Sequence, residues 1–314
     1  MSFESYEPEA IAATKAWMAE IGRLAYFAGP LLPNASKKTA AANELQQSTE
    51  AEQIQNFLNE TLKSSGENSL LYVCSVVNPH LPFGMLKKLF RRFLLDLVSG
   101  LLSPRRSCGP LSRLLWSSTS PLYVRRRLSR NPFTPIIAAD TMPMGQILSH
   151  ASPFAGPVPD EIKEKVAAYG KGVLSPWTPQ QLILDHPATG WFVTHGGQGG
   201  LTEAVAAGVP MVLWPFNADQ PLNTIVLTEK HGVGYELLEV RTGNGLRPIR
   251  RTGYTPVGTL DAVKREARDI LGKAFGEDGK EKRAKLRLLR KMMLDEWEEG
   301  GSSRRDVLAF LDTL

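Results

Sequence analysis

Apolar and polar residues alternate along the chain in a way that predicts strands separated by helices. The apolar runs that predict strands lie at 24–33, 70–73, 146–149, 172–174, 191–194, 209–214 and 235–238. Segments with apolar residues at helical spacing predict helices at 8–22, 50–63, 160–169, 201–207, 221–231, 260–271, 281–298 and 304–311. Such alternation is typical of a parallel sheet covered by helices. The predicted fold class is therefore α/β, with a Rossmann-like parallel sheet flanked by helices.

A glycine-rich segment joins one predicted strand to the next helix. The strand at 191–194 ends at His195, which is followed by Gly196, Gly197, Gln198, Gly199 and Gly200. Glycines let backbone N–H groups approach phosphate oxygens, and a helix N-terminus presents unpaired N–H groups and the positive end of its dipole. A dinucleotide fingerprint starting at Gly197 would need glycine where Thr202 stands. The segment therefore predicts a site for a diphosphate.

Four other residues suit the remaining parts of a nucleotide-sugar. The indole of Trp177 can stack on a planar base. Glu203, expected in the first turn of the helix at 201–207, is placed to accept two hydrogen bonds from a ribose diol. Asp219 and Gln220 follow the next apolar strand and offer acceptors and donors to sugar hydroxyls. All four lie at or just beyond predicted strand ends, where open α/β sheets bind ligands.

Each of these residues, taken alone, also has a purely structural interpretation. Trp177 and His195 would suit packing or a structural hydrogen bond. Glu203 would complement the helix dipole, and Asp219 would suit a helix N-cap. Their joint spacing favours a nucleotide-sugar site over these separate roles.

The stretch 177–220 resembles the signature box of the UDP-glycosyltransferase family, the family-1 glycosyltransferases of GT-B fold, in its fungal or plant form. The resemblance assigns uracil stacking to Trp177, base and ribose contacts to Gln180, diphosphate contact to His195, the ribose hydroxyls to Glu203, and the sugar to Asp219 and Gln220. Plant members usually carry Trp-Asn-Ser at the positions of Gln198, Gly199 and Gly200. This departure leaves backbone amides, rather than side chains, to meet the phosphates.

The resemblance implies inverting transfer of a hexose, with glucose favoured, from a UDP-sugar to a hydroxyl of a small lipophilic acceptor such as a sterol, lipid or phenolic. Neither a cofactor nor a metal is expected. Residues 1–49 resemble the tail and linker of the family's acceptor domain, 50–280 its donor-binding domain, and 281–314 helices that pack back toward the first domain. No residue is assigned as the catalytic base, which the family takes from its first domain, so little transfer is expected from this chain alone.

The composition of the 314 residues is that of a globular protein, with 42% apolar residues. Two cysteines, Cys74 and Cys108, form neither a disulfide framework nor a metal-ligand spacing. The first residues lack the pattern of a signal peptide, and no apolar run is long enough to span a bilayer. These features predict a cytoplasmic protein without a transmembrane anchor.

The segment 79–139 differs from the rest of the chain in charge. It contains eleven Lys and Arg residues and a single acid, Asp96, whereas the whole chain has a net charge of only +5. One interpretation is a patch for nucleic acid or anionic membrane, which includes an apolar and basic run at 85–95. The favoured interpretation is an atypical insertion or a gene-model error, and no nucleic-acid partner is expected. The functional alternatives are a non-catalytic nucleotide-sugar-binding remnant and a basic nucleic-acid-binding protein.

Overall fold

The computed structural model describes residues 3–31, 51–74, 113–117, 160–175 and 178–314. Its strands are β1 (Leu70–Cys74), β2 (Arg113–Ser117), β3 (Gly172–Ser175), β4 (Thr189–Thr194), β5 (Met211–Leu213) and β6 (Gly234–Glu236). Its α-helices are α1 (Pro8–Glu20), α2 (Ala51–Ser65), α3 (Asp160–Tyr169), α4 (Gln180–Asp185), α5 (Gln198–Ala207), α6 (Gln220–Ile225), α7 (Leu260–Ala274), α8 (Glu277–Asp295) and α9 (Ser302–Leu311). A π-helical turn, Val226–Lys230, continues α6, and a 3₁₀ turn lies at Gly243–Leu246.

The six strands form one sheet in the order β3-β2-β1-β4-β5-β6, and every pair is parallel. Strands β2 and β3 are added in chain order on one side of β1, and strands β4, β5 and β6 are then added in chain order on its other side. The strand order therefore reverses between β1 and β4. In open α/β sheets ligands bind beyond the carboxyl ends of the strands at such a reversal.

Both faces of the sheet are buried. Successive side chains of a strand point to opposite faces, and helices cover the side chains on each face. On one face Leu70, Tyr72 and Phe192 pack with apolar residues of α2, α5 and α8: Ile54, Leu58, Leu201, Val205, Leu286, Leu289 and Met293. On the other face Leu71, Val73 and Trp191 pack with α7 through Val263, Ala267, Ile270 and Leu271. The central strands are thus held between two helical layers.

The first described residues pack against the last helices. Asp306 of α9 accepts hydrogen bonds from Lys15 of α1, at 3.1 Å, and from the backbone N–H of Phe27, at 2.9 Å. The indole N–H of Trp297 donates to the carbonyl of Pro30 at 3.2 Å. The predicted strand at 24–33 is wrong over its described part, since residues 24–31 form no strand. The backbone N–H of Phe27 and the carbonyl of Pro30 bond to side chains of the C-terminal segment instead of to a neighbouring strand.

Most predicted elements are present, with shifted ends. The helix predicted at 201–207 begins three residues earlier, at Gln198, and the strand predicted at 209–214 is limited to Met211–Leu213. The basic segment 79–139 supplies β2, which pairs with β1 and β3. The remainder of that segment, the predicted strand at 146–149 and the linker at 34–50 lie outside the described residues. Among the described helices, none is long and apolar enough to cross a membrane.

Candidate functional site

The glycine turn lies at the carboxyl end of β4, beside the reversal in strand order. Gly196 has a φ of +83°, a conformation that L side chains rarely adopt. A Cβ on Gly196 would also lie 3.2 Å from Thr224 Oγ1 of α6. Glycine is therefore favoured here by the backbone conformation, and a larger residue would also crowd α6.

The turn is shorter than the sequence predicts, because α5 already begins at Gln198. Gly199 and Gly200 thus belong to the first turn of the helix rather than to the loop before it. The N-cap residue, Gly197, accepts a hydrogen bond from Leu201 N–H at 3.1 Å but has no side chain to cap the first N–H groups. An uncapped helix N-terminus presents N–H donors and a positive dipole to an anion.

His195 stands directly before this helix N-terminus and is half-buried. Its Nδ1 is shielded from solvent and has no hydrogen-bond partner among the described residues. Burial lowers the pKa of His195, and the charge of Asp219 opposes this shift. A neutral imidazole has one N–H donor and one acceptor nitrogen. An unpaired buried nitrogen of this kind is a candidate ligand contact.

Glu203 and Gln180 are brought together although they belong to different helices. Gln180 Nε2, at the start of α4, donates to Glu203 Oε2 at 2.5 Å. Glu203 is the sixth residue of α5, so it lies in the second turn and not in the first turn that the sequence predicted. Its carboxylate still has further acceptor capacity for hydroxyl groups. Trp177, the predicted base-stacking residue, lies outside the described residues.

The loop after β5 holds the two residues predicted to contact the sugar. Asp219 is exposed, and its Oδ2 accepts from Asn223 Nδ2 at 2.7 Å. Gln220 Oε1 instead accepts from the backbone N–H groups of Phe216 and Asn217, at 2.8 and 3.1 Å. The carbonyl oxygen of Gln220 therefore shapes its own loop, a use that the sequence prediction did not include.

Asn223 is a site residue that the sequence analysis missed. Its Nδ2 donates to Asp219 and also to the carbonyl oxygen of Gly196, at 3.1 Å. One available signal was its position four residues after Asp219 on a helix, a spacing at which side chains meet. The contact to Gly196, 27 residues away in sequence, has no such local signal. In the described parts of the chain, no group of three His, Cys, Asp or Glu residues is arranged for a metal ion.

Comparison with known proteins identifies a glycosyltransferase sequence in this region. The family described as UDP-glucoronosyl and UDP-glucosyl transferase matches residues 153–246. UDP-glycosyltransferase eriJ from Hericium erinaceus is 42% identical over 175 residues, which are 54% of this chain and 34% of that protein. UDP-glycosyltransferase 73B4 from Arabidopsis thaliana is 37% identical over 146 residues, which are 46% of this chain and 28% of that protein. The matched part thus spans about a third of these relatives' length.

Solved structures show the same fold. UGT71G1 from Medicago truncatula, complexed with UDP-glucose, has a TM-score of 0.62 at 22% identity, over 99% of this chain and 52% of that chain. UGT2 from Phytolacca americana, complexed with UDP-2fluoro-glucose and pterostilbene, has a TM-score of 0.60 at 19% identity, over 99% and 53%. The predicted GT-B-type α/β fold is therefore confirmed. The family resemblance predicted from residues 177–220 is confirmed for the region 153–246, which matches the UDP-glucoronosyl and UDP-glucosyl transferase family.

Proposed function

We propose that the protein binds a UDP-sugar across the carboxyl ends of β4 and β5. The observation that carries this proposal is the N-terminus of α5, which no N-cap side chain caps and which follows His195 with its unpaired nitrogen; Glu203 lies on the same helix. The diphosphate would accept hydrogen bonds from the first N–H groups of α5, and its charge would be stabilised by the helix dipole. Glu203 would hold the ribose hydroxyls and Asp219 the sugar.

The reaction proposed for the whole protein is transfer of a hexose, with glucose favoured, to a hydroxyl of a small lipophilic acceptor. The acceptor oxygen bonds to the anomeric carbon from the face opposite the diphosphate, the bond to the diphosphate breaks, and a base takes the hydroxyl proton. Negative charge then grows on the diphosphate, where N–H donors stabilise it most strongly. The names of the curated relatives support such transfer, and pterostilbene in the Phytolacca americana structure supports a phenolic acceptor.

Metal-free transfer is part of this proposal, because the N–H groups of α5 supply the positive charge that a metal would otherwise supply. Addition of EDTA to a transfer assay with UDP-glucose should leave the rate unchanged. A loss of rate that Mg²⁺ or Mn²⁺ restores would show that the diphosphate is neutralised by a metal ion.

Donor binding is tested by calorimetry with UDP on the full chain. Glu203→Gln should weaken UDP roughly tenfold, because hydrogen bonds to a charged group contribute about 1.5–3 kcal/mol. 2′,3′-Dideoxy-UDP, which lacks both hydroxyls, should bind the wild-type protein and Glu203→Gln equally. Trp177→Ala should reduce the binding free energy of UDP by roughly 1–3 kcal/mol through loss of stacking. A matched control is Glu229→Gln, since Glu229 is an exposed glutamate outside the proposed site. Unchanged UDP affinity in both site variants would remove the assignment.

Transfer is tested separately from binding. The chain is incubated with UDP-glucose and a panel of phenolic, sterol and lipid alcohols, and the products are identified by mass spectrometry. Glycoside that disappears in Asp219→Ala supports a glycosyltransferase. Donor binding without any glycoside from this chain agrees with a base that the family's first domain supplies. Absence of glycoside after that domain is added as well would support a binding protein that does not catalyse transfer.

A further inference from the structure

We infer that Asn223 is a positioning residue that couples the sugar-binding aspartate to the diphosphate-binding turn. The inference rests on the proposed function, because it assigns Asp219 to the sugar and Gly196 to the turn that faces the diphosphate. Asn223 itself is expected to touch neither part of the donor.

The coupling is made by a single amide nitrogen. Asn223 Nδ2 carries two hydrogens, and the structure gives it two acceptors: the carbonyl oxygen of Gly196 at 3.1 Å and Asp219 Oδ2 at 2.7 Å. The backbone N–H of Asn223 also donates to the carbonyl of Asp219 at 2.9 Å. The side chain therefore connects the end of β4 to the loop that follows β5.

Both segments joined by Asn223 contain a residue in the left-handed backbone region. Gly196 has a φ of +83°, and Ala218, directly before Asp219, has a φ of +53°. The left-handed conformation is unfavourable for residues other than glycine, so the loop at Ala218 needs hydrogen bonds to hold it. The amide of Asn223 supplies such a contact on one side of Ala218, and the side chain of Gln220 supplies two more through Phe216 and Asn217.

The contact with Asn223 also determines which part of Asp219 is left for a ligand. Oδ2 is occupied by the amide, so Oδ1 and the remaining lone pairs are available to hydroxyl donors. Because the amide is neutral, it orients the carboxylate without cancelling its charge. Loss of the amide would free the exposed Asp219 side chain to rotate away from the sugar, and it would leave the carbonyl of the buried Gly196 without this donor.

The test measures the selectivity of the full chain for UDP-glucose over UDP by calorimetry. Asn223→Ala should reduce this selectivity roughly tenfold, as expected for a lost hydrogen bond to a charged group. Asp219→Ala should reduce it similarly, and Asn223→Ala should then reduce it no further in the Asp219→Ala background. Leu222→Ala is the matched control, because Leu222 is the exposed neighbour on the same helix.

A merely structural role predicts a different pattern. In that case Asn223→Ala lowers the melting temperature, but the folded protein keeps the wild-type selectivity, and the inference is overturned. Additive losses of selectivity in the double variant would also overturn it. If Asn223→Ala does not fold, Asn223→Leu has nearly the same size, lacks the Nδ2 donor, adds no charge beside Asp219 and allows the same comparison. Failure of the wild-type protein to bind either nucleotide would refute the proposed function itself.

Discussion

The turn after β4 and the loop after β5 lie at the carboxyl ends of neighbouring strands, yet they differ in how far their polar groups are hydrogen-bonded within the protein. The turn leaves groups free: Gly197 offers no capping side chain to α5, and His195 Nδ1 is buried without a partner among the described residues. The loop satisfies its own groups, through Gln220 with Phe216 and Asn217 and through Asn223 with Asp219.

This difference indicates that the turn, rather than the loop, gains hydrogen-bond partners when a ligand binds. Unpaired buried polar groups are unfavourable and are rare in folded proteins, so the buried unpaired nitrogen of His195 marks the turn as a place where a ligand can supply the missing partner. A loop with satisfied hydrogen bonds is already arranged before a ligand arrives, and it can select a sugar at little additional loss of conformational freedom. We therefore expect the turn to contribute most of the affinity and the loop to contribute most of the selectivity.

The largest expected loss of UDP affinity comes from a substitution that changes the shape of the turn. Gly196→Ala should weaken UDP roughly tenfold, because a left-handed conformation costs about 1–2 kcal/mol for alanine and the new methyl crowds Thr224. Gly272→Ala in α7 is the control, since a Cβ there meets nothing within 4 Å and the residue is no part of the proposed site. Gly272→Ala should keep or raise thermal stability, because alanine favours the helix. Equal losses of UDP affinity in both variants would show that the conformation of Gly196 is not what matters.

The loop should respond to a substitution that relieves its backbone. Ala218→Gly is expected to stabilise the protein by roughly 0.5 kcal/mol. Removal of the left-handed strain stabilises the folded protein, and this gain outweighs the greater conformational freedom that glycine gives the unfolded chain. Chemical denaturation measures this change. UDP affinity should stay unchanged, since the turn rather than the loop is proposed to contact the diphosphate. A marked loss of UDP affinity in Ala218→Gly would mean that the loop, too, holds the nucleotide.

The smallest expected effect is a pH dependence of stability that arises from His195. Burial lowers its pKa in the folded protein below the ordinary value of 6.5. As the pH falls below 6.5, the unfolded chain therefore binds a proton before the folded protein does, and the free energy of unfolding decreases. Urea denaturation at pH 7.5, 6.5 and 5.5 should show this decrease, and His195→Gln should show less of it. Identical slopes for the two proteins would assign the decrease to His186 and His231, whose pKa values are also lowered by burial.

The elements of the fold and the site were predictable where neighbouring residues in the sequence determine them. The apolar runs of β1 and β4, the helix α3 at its observed bounds, and the glycine segment before α5 all follow from neighbouring residues. Predictions failed where a distant segment decided the outcome. The stretch 24–31 is apolar enough for a strand, but the C-terminal helices engage its backbone. The start of α5 was placed too late because glycines disfavour helices locally, whereas in the structure the helix begins at Gln198.

The sequence by itself determined the class of fold and the chemistry of the candidate site. Hydrophobic periodicity reports backbone geometry directly, and the spacing of His195, Glu203 and Asp219 places polar groups just beyond strand ends. Only the tertiary structure decided which groups are occupied by other parts of the protein: Glu203 by Gln180, Asp219 and Gly196 by Asn223, and Gln220 by its own loop. Hydrogen-bond partners far apart in sequence depend on how helices and strands pack. A local pattern names the groups that can bind a ligand, and the packing determines which of them remain available.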